Sequence, residues 1–245
     1  MKEKSKLIKT ILSLSLFLIA APTFAKKEIN YKIKNYSCPT KAVGDLTLRL
    51  MDVFERDQSL KDLKLSIVKN AYERKYFLQD YEIKFNPLEG SLLFTYFCPK
   101  PLMKIEIFDS LGIKTFGGTL VSNGEIFKES FLKLLEKESK KELDIPYLSI
   151  PHDKINSELT KKIAQLYMAL GDKNKQKVSE IILNPNQELT FIISSSNRVA
   201  SVFFGQAKWS EKVSKLEKIL NHFNSSGKLP SLVNLTNSKK VVVKF

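Results

Sequence analysis

Histidine occurs only twice in this 245-residue sequence, at His152 and His222, and neither has a second ligand at metal-binding spacing. That disfavours a histidine-based zinc centre. Glycine is also sparse, and the nine present form no run of the kind that cradles phosphate. The serines Ser194-Ser195-Ser196 lack the Gly-x-Ser-x-Gly setting of a nucleophile elbow and have no base nearby. Glu180, Glu188 and Glu211 are scattered and read as surface charge, while Trp209, the one tryptophan, reads as an anchor for a helix start. The expectation is a non-enzymatic protein with no cofactor and no metal.

Acidic residues are also in deficit: 26 Asp+Glu stand against 40 Lys+Arg, a net charge of +14. Nucleic acid, an anionic membrane or wall surface, or a general compositional bias would each account for it. The excess is mostly lysine, dispersed along the chain with no arginine-rich helix, which reads as a solvated surface more than a recognition stripe, argues against nucleic acid as a partner and leaves the inner-membrane surface open as one. Apolar residues make up 43% of the chain, enough to build a core, and 27% charged residues are too few for a disordered one. The length suits one large domain or two smaller ones.

Long hydrophobic runs are absent except at the start. Lys2, Lys4, Lys6 and Lys9 precede the largely apolar residues 11–21, and Thr23-Phe24-Ala25 offers a small-x-Ala cleavage site. The uncharged stretch is short for a bilayer span of about 20 residues. A cleavable signal over residues 1–25 is favoured over a retained anchor, and either one exports the remainder of the chain. Two cysteines, Cys38 and Cys98, fit an exported chain as a single disulfide or as two separate buried thiols.

Residues 28–39 alternate as a strand ended by Pro39. From Thr40 the period is helical, through Val43, Leu46, Leu50 and Val53 or Phe54, and a second helix is expected near 65–76 with Leu65, Val68, Tyr72 and Tyr76 as its apolar face. Tyr81, Ile83 and Phe85 alternate on one side of a second strand. A third strand, SLLFTYFCP with MKIEIF, is broken at Cys98-Pro99-Lys100-Pro101, which means an edge, a bulge or a crossing between two sheets. TLVSNGEIF reads as a hairpin turning at Ser122-Asn123-Gly124. Residues 128–143 read as a surface helix or a flexible connection. A helix over 156–170 comes next, then strands in VSEIILN, ELTFIISS and VASVFFG, the last two joined by Ser196-Asn197-Arg198. A helix N-capped by Ser210 and closed at Gly227 leads to a hairpin in LVNLTNSKKVVVKF. The β-branched and aromatic residues 241–245 would be a sticky edge that another part of this chain or a partner must cover.

The order β-α-α-β-β, a proline-broken strand, Leu120-Val121-Ser122-Asn123-Gly124-Glu125-Ile126-Phe127, the strand-glycine-helix of VFFGQAKWSEKVSKLEKIL, and Val233-Asn234-Leu235-Thr236 ahead of a valine-rich strand together resemble the bacterial cell-division family FtsQ/DivIB. The family's Asp and Arg before the last turn are Asn234 and Thr236 here. The resemblance implies an α+β fold: a POTRA domain over residues 28–116 and a β-rich FtsQ-type domain with flanking helices and a terminal edge hairpin over residues 117–245. Its third strand would lie mid-sheet beside the first, making a Cys38–Cys98 disulfide sensible.

The function so implied is a divisome scaffold for septum formation on the periplasmic or extracytoplasmic face of the inner membrane. It would tie FtsB/FtsL-like partners to septal wall synthases by adding a partner strand to an exposed edge. The residues implied in that contact are Asn237, Lys239, Val241, Val243 and Phe245 on the terminal edge, with Tyr81, Ile83 and Phe85 on an edge of the POTRA sheet. Lys240 and Lys244 would add positive charge for an acidic segment. The alternative is another exported POTRA-containing module of outer-membrane assembly or secretion.

Overall fold

A strand, β1 (Asn30–Tyr36), opens the part of the computed structural model that can be described: residues 28–195, 198–226, 230–237 and 239–245. Pro39 then starts α1 (Thr40–Asp57), whose Val43, Leu46, Leu50 and Phe54 fall on one face and are buried. Ser59 caps α2 (Leu60–Lys69) by accepting the Asp62 N–H at 3.2 Å. The helix expected over 65–76 is two pieces, because Ala71 is left-handed and separates α2 from the single turn α3 (Tyr72–Lys75). The buried face of α2 is also not the expected one. Leu63 and Ile67 point inward, while Leu65 and Val68 are exposed.

β2 (Asp80–Asn86) and β3 (Ser91–Phe97) complete a three-stranded sheet ordered β1-β3-β2, so the third strand is central and neighbours the first, as the resemblance implied. The prolines beyond β3 mark a crossing between sheets. Cys98 donates its N–H to the Tyr36 carbonyl at 3.1 Å, and after Pro99 the Lys100 carbonyl accepts the Ser122 N–H at 2.9 Å. β4 (Pro101–Phe108) thus belongs to a second sheet, where it pairs antiparallel with β5 (Lys114–Val121). Neither proline has an N–H to give a ladder. The expected boundary at 116/117 therefore falls inside β5, and the change of sheet lies at 98–101. Cys38 and Cys98 are joined in a disulfide, Cα atoms 4.9 Å apart across 60 residues of sequence.

The chain divides into two compact units. Glu82–Phe94 with the described residues through Lys34 form one, and Asn35–Tyr81 with Thr95–Phe245 form the other. In the smaller unit Leu92 and Phe94 are fully buried and Tyr31 stacks on Phe94 with ring centroids 6.4 Å apart.

The larger unit carries a nine-stranded mixed sheet. β6 (Ile126–Lys128) folds back on β5 through a turn where Gly124 has φ +87; a Cβ there would also meet the Lys161 backbone at 2.6 Å. α4 (Glu129–Ser139) buries Phe131 and Leu132 and is neither a bare surface helix nor a loop. After it come β7 (Tyr147–Pro151), α5 (Ser157–Met168), the turn α6 (Asp172–Lys175), β8 (Val178–Leu183), β9 (Leu189–Ser195), β10 (Arg198–Gly205), α7 (Trp209–Ser226), β11 (Leu232–Asn234) and β12 (Val242–Lys244). The sheet order is β12-β11-β10-β9-β8-β7-β4-β5-β6. Its parallel neighbours β4/β7, β7/β8 and β10/β11 are each joined through a helix, as parallel pairing requires. α5 and α7 cover one face, setting Ile163, Leu166, Leu216 and Leu220 against Ile181, Phe191, Val202 and Val233. The fold class is α+β.

Helix α5 is capped by Asn156, whose side chain accepts the Leu159 N–H at 2.9 Å. Helix α7 begins one residue before Ser210, which lies inside its first turn; Ser196, Asn197 and Gly227 fall outside the described residues.

Within the larger unit, two contacts tie α1–α3 to the second sheet. Phe77 packs its ring 5.5 Å from Phe127 and 5.1 Å from Phe131. To do so it adopts a left-handed φ of 64, at a cost of about 1–2 kcal/mol that burial of three rings offsets. The N-terminus of α1 has no capping side chain of its own. Glu138 of α4 supplies one, accepting the N–H groups of Thr40 at 2.7 Å and Lys41 at 3.0 Å. Burial works against the ionised Glu138 carboxyl, yet those donations hold its pKa below the ordinary value.

A depressed folded-state pKa means this cap contributes fully above the ordinary carboxylate pKa and is lost as pH falls through the lower folded value. Glu138→Ala is expected to cost about 1 kcal/mol near neutral pH, the usual worth of a cap, with the difference from the parent chain vanishing in acid. Thermal unfolding of both chains across that range checks it, and an equal difference at all pH values would remove Glu138 as the cap. Replacing Cys38 and Cys98 together by serine is expected to destabilise by about 4 kcal/mol, the loop-closure value for this separation. Non-reducing peptide mapping should also find the two cysteine peptides linked.

Candidate partner-binding edge

β11 is anchored from beneath: Val233 and Leu235 are buried in the core, and β11 lies parallel to β10 with Val202 beside Val233. β12 then folds antiparallel onto the outside of β11, pairing Leu232 with Lys244, Val233 with Val243 and Asn234 with Val242. Among the described residues β12 has one strand neighbour, so it is an edge of the nine-stranded sheet. In an antiparallel strand, alternate residues turn their N–H and C=O away from the neighbour.

The side chains there are poorly covered. Val241 is 40% exposed, Val242 59% and Phe245 70%; only Val243 is half-buried. Val241 and Phe245 flank the strand and are not in its ladder, which shortens the edge expected over 241–245. The Phe245 ring still meets Phe223 of α7 edge-on at 5.6 Å. Ser231 grips the far end twice, its N–H 2.8 Å and its hydroxyl 3.1 Å from the Lys244 carbonyl.

The turn before β12 is built by side chains. Asn234 Oδ1 accepts the Thr236 N–H at 2.9 Å and the Thr236 hydroxyl at 2.7 Å. Asn237 Oδ1 accepts from Lys239 N at 2.8 Å and Lys240 N at 3.3 Å. The amide oxygen of Asn237, expected to face a partner, is thus engaged in shaping the turn, whereas Lys239, Lys240 and Lys244 are exposed. Such Asx turns fix the backbone without a glycine.

Sequence reasoning missed the group beneath this turn. Lys212 of α7 is 5% exposed, its ammonium donating to the Phe204 carbonyl at 2.6 Å and the Thr236 carbonyl at 3.4 Å. Burial pushes its pKa down, with Lys208 and Lys215 acting the same way and Glu211 opposing. Around it, Trp209 Nε1 donates to the Gly205 carbonyl at 2.7 Å, and Gly205 sits at φ +68 where a Cβ would lie 3.3 Å from Thr236. The start of α7 thereby clamps the chain where it leaves β11. A lysine in a lysine-rich helix reads as surface, so only the regular spacing Trp209, Lys212, Val213, Leu216 could have hinted that it lies on the inner face.

The other three expected contact residues are on β2, an edge of the three-stranded sheet. Ile83 is buried, its side chain part of the core, Phe85 is 37% exposed, and Tyr81 is half-buried with its phenol pKa raised by burial and by Glu73 and Asp80. These belong to a different sheet from the terminal residues.

Open grooves of about 790 and 850 Å³ lie elsewhere in the larger unit, lined mainly by polar side chains such as Gln165, Gln206 and Lys208 in one and Glu73, Arg74 and Lys161 in the other. Neither is lined by a residue of β12. Among the described residues no cluster of His, Cys, Asp and Glu could hold a metal ion, and no helix is long and apolar enough to cross a membrane.

Lys212→Met keeps the stem's packing, removes the buried charge and strips two carbonyls of their donor. Global stability is expected to move by less than about 1 kcal/mol, since the two effects oppose. Amide exchange over 231–237 and 242–244 is expected to rise at least several-fold. Unchanged protection in those peptides would show that the lysine does not hold the edge.

No protein-family model and no curated protein matches the sequence. Among solved structures the chain is similar to the major extracytoplasmic domain of the trans isomer of the bacterial cell division protein DivIB from Geobacillus stearothermophilus, at a TM-score of 0.32 and 14% identity, over 53% of this chain and 98% of that one.

Proposed function

We propose that the protein is an exported, non-enzymatic scaffold of the FtsQ type, working on the extracytoplasmic face of the inner membrane. In this reading the three-stranded sheet with α1–α3 corresponds to a POTRA domain, and the nine-stranded sheet to the FtsQ-type β domain. β12 takes a strand from an FtsB/FtsL-like partner and so links it to septal wall synthesis.

One observation carries the reading: among the described residues the outermost strand of the large sheet is β12, short, exposed and paired to a β11 whose Val233 is buried in the core. A visiting strand of a few residues would gain main-chain hydrogen bonds worth about 1 kcal/mol each net, and side chains at alternate positions would read its sequence. Val242 and Phe245 offer apolar contact, and Lys239, Lys240 and Lys244 offer charge to an acidic segment. The order of sequence motifs that resembles FtsQ/DivIB supports the choice of partner class, and the central third strand supports the POTRA correspondence. The buried Ile83 makes β2 the weaker of the two candidate edges.

Co-purification tests it. The full chain is expected to retain an FtsB-like partner, and a chain ending before Lys240 to lose it while unfolding within a few degrees of the parent. Retention of the same partners by the shortened, folded chain would overturn the assignment of the edge.

A further inference from the structure

The two halves of the disulfide differ in their surroundings. Cys98 is 7% exposed and lines an open cleft of about 390 Å³ where β3 ends and the chain crosses to β4; Cys38, 5% exposed, does not line it. Two aromatic rings belong to the same cleft. Tyr36 and Phe97 stack face to face with centroids 4.9 Å apart, yet remain 51% and 36% exposed. An exposed apolar surface is therefore continuous with the cysteine that lines the cleft. Lys100 also lines it, exposed and in no ion pair among the described residues. The carboxylate of Asp80, another lining residue, accepts the Tyr81 N–H at 2.7 Å.

A disulfide is exchanged by a thiolate that attacks one sulfur while the other leaves, and access decides which sulfur is attacked. Here the cleft gives access at Cys98. We infer that Cys38–Cys98 is an exchangeable bond, and that the cleft docks a protein dithiol of the Cys-x-x-Cys kind that attacks Cys98. In the first step the dithiol's thiolate bonds to Cys98 Sγ and the bond to Cys38 breaks. Cys38 leaves as a thiolate and takes a proton from water. In the second step the dithiol's other thiolate attacks the sulfur now bonded to Cys98. Cys98 leaves and is protonated in turn, and the dithiol has become a disulfide, so two electrons have passed to this chain. The Tyr36 carbonyl oxygen lies 3.7 Å from Cys38 Sγ and accepts the new S–H. Lys100 draws the anionic nucleophile into the cleft. The Tyr36–Phe97 pair offers an apolar contact that a small hydrophilic thiol does not need, which points to a protein as the source of the thiolate. After exchange Cys98 still donates its N–H to the Tyr36 carbonyl at 3.1 Å, so the crossing keeps its hydrogen bond and loses only its covalent fastening. The inference is independent of what binds β12.

The folded, oxidised chain is incubated with thioredoxin whose second active-site cysteine is serine, so that the mixed disulfide cannot be resolved, and in parallel with glutathione. Non-reducing peptide mapping then locates the adducts. The expected result is a thioredoxin adduct on Cys98, at least severalfold over Cys38, forming at a rate proportional to thioredoxin concentration. Lys100→Glu, at an exposed position, is expected to slow that reaction severalfold. Replacing Tyr36 and Phe97 together by serine is expected to slow the thioredoxin reaction severalfold and to leave the glutathione reaction as in the parent; thermal unfolding checks that this chain is folded, and Lys100→Glu tests the cleft if it is not. An adduct mainly on Cys38, or a rate independent of thiol concentration, as when attack waits for unfolding, would overturn the inference. So would adducts with glutathione but none with thioredoxin, no reaction with either, or an unchanged rate in the Lys100→Glu chain.

Discussion

Two residues without an N–H, Pro99 and Pro101, set the architecture. A strand that lost two donors so close together could not continue as the interior of one ladder. β3 therefore stops at Phe97 and β4 starts again in another sheet, paired with β5. The crossing is fastened on both sides, by Cys98 to Tyr36 and by Lys100 to Ser122, and the disulfide adds a covalent fastening at the same place. The position of β4 then decides the rest of the large sheet. It is the strand on which both the β5–β6 hairpin and the parallel β7–β8 pair are built.

The far edge of the sheet is a consequence of parallel pairing. β10 and β11 run parallel, so the connection must cross over, and α7 makes the crossing while covering the core. The start of α7 is then next to the point at which the chain leaves β11, where Lys212, Trp209 and the glycine at 205 hold it. A buried ammonium is an unusual clamp, since its desolvation opposes the hydrogen bonds that it makes. It supplies three donors in a place where two carbonyls converge, which no apolar side chain could do.

Much of this was legible in the sequence. The alternation of Tyr81, Ile83 and Phe85, the Asn-Gly turn, the stripes of α1, α5 and α7 and the proline break each found their element, because each is set by neighbours within a few residues. What was not legible depended on distant partners. In LKDLKLSIVK two apolar stripes interleave, and only packing selects Leu63 and Ile67 over Leu65 and Val68. LVNLTNSKKVVVKF reads as a simple hairpin; that its first strand is also the parallel neighbour of β10 is invisible without the fold. At the candidate edge, the exposed valines and Phe245 could be read from residue type. The engagement of Asn237 in its own turn and the burial of Lys212 could not, since both residue types are ordinarily solvated.

The disulfide also alters how tension would travel through the molecule. A pull applied at the start of β1 reaches Cys38, and from there it can pass straight across the sulfur–sulfur link to Cys98 and into β4. The residues in between, which include all of α1, α2 and α3, lie on a mechanical bypass and carry little of the load. With the link reduced, the same pull would have to run through those helices, held only by side-chain packing and a carboxylate cap. The chain under strain would then extend by unravelling its helical layer first, before the large sheet gave way.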